Sequence, residues 1–208
     1  MKTMNAKKIV AALLAVVLLI GIGVGGTLAW LKATTDPVTN TFTVGDIAID
    51  LKEHKLNETG TDLLTGTDNE VNAESNYKIV PGDTQPKDPF VRFTKDSEPC
   101  WLFVKVEEKN NTVGASDKKY VTYSVDTSEW NALAGETGVY YKKLETLTTK
   151  DTEISILTDN EVSYSEDLTK ADLNAVTDST KPQLVFTAYA VQLEAAADAA
   201  AAWEIANS

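Results

Sequence analysis

Cysteine and histidine are almost missing from this chain of 208 residues: Cys100 and His54 are the only ones. One cysteine excludes an intramolecular disulfide, so a domain of this size must be held by core burial. One histidine excludes a His-Glu-x-x-His or three-histidine zinc centre, and it leaves any serine nucleophile with only His54 as a base. There is no Gly-x-Ser-x-Gly elbow. The glycine-rich run Gly21-Ile-Gly-Val-Gly-Gly26 lies inside an apolar leader, where it has no bearing on nucleotides. Asp62, Asp68, Asp83 and Asp88 do not follow the EF-hand spacing. Positive charge is scarce as well: 19 Lys+Arg stand against 31 Asp+Glu, a formal net charge of −12. Lys2, Lys7 and Lys8 all precede Trp30, a stretch without acids, so the remainder is more acidic still. Such a chain repels nucleic acid and gains nothing from an anionic membrane surface, and any polymer of it is sensitive to ionic strength.

What is present begins with a leader. The basic start up to Lys8 precedes an unbroken apolar run from Ile9 to Ile20, then Gly21, Gly23, Gly25 and Gly26, then Thr27-Leu28-Ala29. A positive start, an apolar middle and small residues at the third and last positions form a secretory signal peptide, residues 1–29, cleaved between Ala29 and Trp30. The glycines loosen the helix so that a peptidase reads the site extended. The competing reading is an uncleaved membrane anchor, since residues 9–31 carry no charge and are long enough to span. No second apolar span follows, and the end of the chain has neither a sortase-type motif nor a hydrophobic tail.

Alternation then predicts a β-rich domain over residues 41–208. Residues 41–51 read as a strand whose apolar parity slips between Phe42/Val44 and Ile47/Ile49/Leu51, which calls for a bulge at Gly45-Asp46. Residues 54–76 read as a long polar loop with a short strand near Leu63-Leu64 and, as a secondary reading, a loose calcium site between Asn57 and Asn76. Pro81-Gly82 suits a type II turn. Further strands are expected at 90–94, 100–108, 120–126, 138–147, 154–157, 161–164 and 183–194. Those at 100–108 and 183–194 are apolar on both faces and so read as central. One capped turn is expected at Ser128 to Leu133, a short helix at 167–176, and an alanine-rich helix at 195–206 that docks Trp203 and Ile205 on the sandwich edge. Many short strands, polar turns and no alternating helices give an all-β class: an antiparallel, jelly-roll-like β-sandwich with a few short peripheral helices.

Single residues carry little chemistry. Cys100 lies on an apolar strand face and reads as an inert core thiol. His54, in Lys-Glu-His-Lys, reads as a solvated surface residue. Trp101, Trp130, Tyr140, Tyr141 and Trp203 read as core or interface aromatics rather than a sugar platform. Asn57-Glu-Thr59 and Asn110-Asn-Thr112 match the glycosylation sequon. No catalytic, cofactor or metal residue is expected.

The residues Gly25-Gly26-Thr27-Leu28-Ala29-Trp30 and Val38-Thr-Asn-Thr-Phe-Thr-Val-Gly-Asp-Ile-Ala-Ile-Asp-Leu51 resemble the N-terminal signature of the TasA/camelysin (CalY) family of secreted matrix proteins from Gram-positive bacteria. Val80-Pro-Gly-Asp83, the strand from Cys100 to Val106, Ala188-Tyr-Ala-Val-Gln192 and Ala202-Trp203 are similar to further landmarks of that family. The resemblance implies removal of the leader by a SipW-type signal peptidase. It also implies a jelly roll that polymerises with itself by donor-strand exchange, as a subunit of extracellular biofilm-matrix fibres. The mature N-terminal segment, residues 30–40, would be the donor, with Trp30, Leu31 and Ala33 as its assembly residues. The protein is then expected outside the cell, touching a membrane only through its precursor. Two other functions compete: a camelysin-type cell-surface metalloprotease, for which one histidine offers no zinc site, and a monomeric surface adhesin or binding module.

Overall fold

The computed structural model describes residues 46–72, 77–146 and 149–208, which belong to a unit spanning residues 44–208. The leader, the Ala29/Trp30 cleavage site, the donor segment with Trp30, Leu31 and Ala33, and the first residues of the strand expected at 41–51 lie outside the described residues.

Among the described residues, alternation of apolar and polar side chains builds eleven strands in three antiparallel sheets. β1 (Ile49–His54) pairs with β2 (Glu70–Val71) and β4 (Phe90–Phe93), and β4 pairs with β9 (Thr152–Ser155). β3 (Thr84–Pro86) and β6 (Val121–Thr122) flank β10 (Glu161–Tyr164). In the third sheet β5 (Cys100–Lys109) runs between β8 (Val139–Leu144) and β11 (Gln183–Gln192), and β7 (Asn131–Ala132) closes the β8 side. The described residues form the expected antiparallel all-β sandwich with short peripheral helices. β4 leads into β5 and β8 into β9, so the β4/β9 ribbon of one sheet continues as the β5/β8 ribbon of the other. β1 flanks this ribbon at β4, and β11 flanks it at β5.

The inner faces explain the cohesion. Val91 and Phe93 of β4 meet Cys100, Leu102, Val104 and Val106 of β5 in a core that also takes Trp130, Ile154, Ile156 and Val162. The buried Trp130 indole N–H donates to the Ser155 carbonyl at 2.7 Å, so its one polar atom is satisfied. On the other face of β5, Trp101 and Phe103 pack under helix α2 (Ala199–Ala206), where Trp203 lies 5.4 Å from Phe103 and edge-on to Tyr189. Asp198 caps that helix by accepting from the Ala201 N–H at 2.9 Å. Helix α1 (Lys170–Asn174) starts from a capping box between Thr169 and Asp172. Gly82, at φ 74°, completes the expected turn, with the Asp83 N–H donating to the Val80 carbonyl.

Several expectations need correction. Within the described residues β1 starts at Ile49, so the strand expected over 41–51 is broken at residues 46–48. Residues 46–48 leave the ladder to follow the crossover from β4 to β5, where the Glu98 N–H donates to the Asp46 carbonyl and Thr94 to Ala48. The polar loop therefore begins after His54 and returns through β2, and the strand near Leu63 is a single bridge to Leu56. The stretch 120–126 keeps only β6 and a bridge from Val125 to Leu157. The turn at Ser128 is capped by Asp126, whose carboxylate accepts from both the Ser128 N–H and its hydroxyl, and it runs on into β7. The C-terminal helix is shorter than expected and docks on a sheet face, not an edge; Ile205 stays 47% exposed. β11 is not central. Its two apolar faces arise because one faces the core and the other lies beneath α2, while one edge has no ladder partner among the described residues.

Candidate assembly groove

β11 is ten residues long and pairs with β5 through every one of them. Leu184, Phe186, Ala188 and Ala190 share its inner face, yet the strand stays half-buried from Leu184 to Ala190. The cause is the free edge: no described strand supplies the second ladder or the side chains that would cover it. On the side of β1 away from β4, β2 pairs with Glu53 and His54, and no other ladder partner is found among the described residues. β1 and β11 come together across the sandwich, and residues of both line one groove.

This groove encloses about 780 Å³ and is lined by Leu51, Ile79, Val162, Leu173, Leu184 and Phe186, among others. Such a volume accommodates several large apolar side chains, within the usual range for a binding cleft. One charged pair is set into its wall. Lys87 Nζ donates to Glu53 Oε2 at 2.6 Å, and both residues are more than nine-tenths buried. The ammonium also lies 4.6 Å from the Tyr77 ring centroid and 5.6 Å from that of Phe186, so aromatic faces take the place of lost water. Beside the groove, the Tyr164 hydroxyl donates to Gln85 Oε1 at 2.6 Å. Burial, with the Asp83 charge behind it, pushes that hydroxyl up to about 12.

His54 is not a solvated surface residue. It ends β1 with its N–H donating to Asp88 Oδ1 at 3.0 Å and its ring Nδ1 2.7 Å from Asp88 Oδ2, against the Phe90 ring. Its position at a strand end, facing the β3–β4 connection, outweighs the charged neighbours that suggested exposure. Nearby, Arg92 grips Glu70 through two hydrogen bonds of 2.8 and 2.6 Å and reaches Glu153 at 2.7 Å, tying β2, β4 and β9 together. The hydrogen bond from Arg92 holds the Glu70 carboxyl below its ordinary value.

Cys100 is fully buried, and desolvation pushes its thiol up to about 12, as befits an inert core residue. Trp101, Trp130 and Trp203 are buried and Tyr140 and Tyr141 partly so. In the 57–76 loop Asn57 is occupied by its own turn, accepting from the Thr59 hydroxyl and the Thr61 N–H and donating to Asp62. Among the described residues no three His, Cys, Asp or Glu side chains gather to hold a metal, and no helix is long and apolar enough to cross a membrane. The Glu53–Lys87 pair escaped the sequence reading, although Glu53 stands on the parity of Ile49 and Leu51, where an acid among inward apolar residues is the available sign.

Comparison of the chain with protein-family models, with curated proteins and with solved structures finds no match.

Proposed function

We propose that this protein is a secreted structural subunit that builds extracellular matrix fibres by donating its mature N-terminal segment to the next copy. The observation that supports this most directly is the unladdered edge of β11 beside an apolar groove. A strand added there gains main-chain hydrogen bonds along the edge and buries alternate side chains in the groove. Residues 30–40 are suited to the role: Trp30, Leu31 and Ala33 supply apolar anchors, and Pro37, lacking an N–H, ends the ladder. Ordering such a segment costs about 1–2 kcal/mol per residue of backbone, so at least one large side chain must be buried to offset it. Trp30 is that side chain. The leader and its cleavage after Ala29 would free the segment outside the cell.

Electron microscopy of the protein matured at Trp30 tests the reading. Filaments are expected from that chain and none from one trimmed of residues 30–37, with both unfolding cooperatively. Normal filaments from the trimmed chain would exclude strand donation.

A further inference from the structure

A second recess, of about 470 Å³, opens near the C-terminal end of β5 and is lined by Glu108, Lys119, Tyr123, Ser124, Thr127 and Tyr140, among others. It shares only Val121 with the apolar groove, and no residue of β1 or β11 lines it. Glu108 follows Val104 and Val106 on the inner parity of β5, so a carboxylate stands where the strand pattern otherwise buries an apolar side chain. Its Oε2 accepts from Lys119 Nζ at 2.6 Å and from Asn111 Nδ2 at 2.9 Å. A carboxylate has about four acceptor positions, so the group keeps capacity for further donors. The Tyr123 hydroxyl lies close to the same carboxylate and to Tyr140. Burial, with the Glu108 charge and Tyr140 beside it, pushes that hydroxyl up to about 12, which keeps its proton in place. The side chains of Ser124, Thr127 and Tyr140 make no hydrogen bond to another described residue.

A hydroxyl donates one hydrogen bond and accepts up to about two. A recess whose free polar groups are mostly hydroxyls therefore matches a ligand whose own polar groups are hydroxyls, since each contact can run in either direction. Charge narrows the class further. Glu108 and Lys119 are the only ionic side chains lining the recess, and they pair with each other. A shallower hollow of about 200 Å³ adjoins it through Thr122, Tyr123 and Ser124 and adds Thr158 and Ser163, with the acids Asp159 and Glu161. The hydroxyl lining thus runs over two hollows, which suits a chain of sugars better than one ring. The acids of the second hollow, on a chain of formal net charge −12, repel an anionic polymer.

We propose that this recess binds a neutral oligosaccharide through Glu108, Tyr123, Ser124, Thr127 and Tyr140, with the two half-buried tyrosine rings as its apolar wall. The site is separate from the strand-donation groove, and neither reading depends on the other.

Cellotetraose, chitotetraose and maltotetraose, each titrated by calorimetry into the mature chain, test it. At least one should bind saturably at a single site. For that sugar, Tyr140→Phe, which removes a hydroxyl and keeps the ring, should weaken binding roughly three- to tenfold, as expected for a neutral hydrogen bond. Ser124→Ala combined with Thr127→Val should do the same, and melting temperatures should not change. Raising the salt should leave the affinity where it was, because the ligand carries no charge to screen. Failure of all three sugars to bind would overturn the proposal. Binding that none of these variants weakens would overturn it as well, by placing the sugar elsewhere. Tighter binding of a sulfated or uronic oligosaccharide would overturn the assignment to a neutral one.

Discussion

Replacing Lys87 by Met keeps an unbranched stem against Tyr77 and Phe186 but takes the ammonium from Glu53, a carboxylate 6% exposed and 2.6 Å from its partner. In a pair this buried, the attraction and the desolvation of the two ions nearly cancel, whereas removing one member takes the opposite charge from a buried ion and costs about 3–5 kcal/mol. Glu53→Met alone should cost a similar amount, because the buried Lys87 then keeps only the Tyr77 hydroxyl and the ring faces of Tyr77 and Phe186 against its charge. The double variant exchanges the pair for apolar packing of similar volume and should lie within about 1 kcal/mol of wild type, or above it. Denaturant unfolding of the four proteins at neutral pH closes the cycle, and these figures imply a coupling of about 5 kcal/mol or more. A Lys87→Met loss below about 1 kcal/mol with no coupling would mean that water reaches the pair. The account of a dry groove wall would then be wrong.

Three further outcomes follow from the structure. Gly138 has φ +72°, and a Cβ there would lie 2.4 Å from the Val106 carbonyl oxygen, so Gly138→Ala should cost at least about 2 kcal/mol in thermal unfolding, strain and clash combined; a smaller loss would mean that the β5–β8 connection gives way easily. With its thiol pushed up to about 12 by burial, Cys100 should resist alkylation in the native chain at neutral pH and react only on unfolding; prompt native labelling, read by mass spectrometry, would contradict the burial. Because its folded pKa is lowered by Arg92, Glu70 contributes stability that is present above its ordinary 4.5 and lost as pH falls through the lowered value. Melting temperatures taken from neutral to strongly acid solution should therefore fall less steeply for Glu70→Gln than for wild type, and equal slopes would remove the linkage.

The parts of the fold legible in the sequence were those fixed by local pattern. β5 shows its parity through Cys100, Leu102, Val104 and Val106, β10 appears at its observed bounds, and Pro81-Gly82 forms the turn its residues favour. What pattern cannot distinguish is the source of burial. β11 carries apolar residues on both faces, as a central strand does, but its second cover is a helix rather than a neighbouring ladder, and an edge leaves no mark on parity. The break at residues 46–48 was missed for a related reason. Ile47 is apolar, yet the chain there follows a crossover between sheets and its hydrogen bonds go to Glu98 and Thr94. The groove was hidden too, since its walls come from segments more than a hundred residues apart, from Leu51 to Phe186.

If the chain is a fibre subunit as proposed, the full-length pairing of β11 with β5 bears on how it would carry tension. A load passed through a strand donated to the outer edge of β11 would act along the strand axis, so the hydrogen bonds to β5 would be stretched together in shear instead of opening one after another. The Leu193 N–H is held at one end by the Pro99 carbonyl, and the Asp46 carbonyl accepts from Glu98 next to it. Pulling at the point where the chain enters and pulling at the point where β11 ends thus converge on the same β4–β5 crossover. A filament of such units would resist extension at this one corner of each subunit, and it is there that a weak fibre would be expected to yield first.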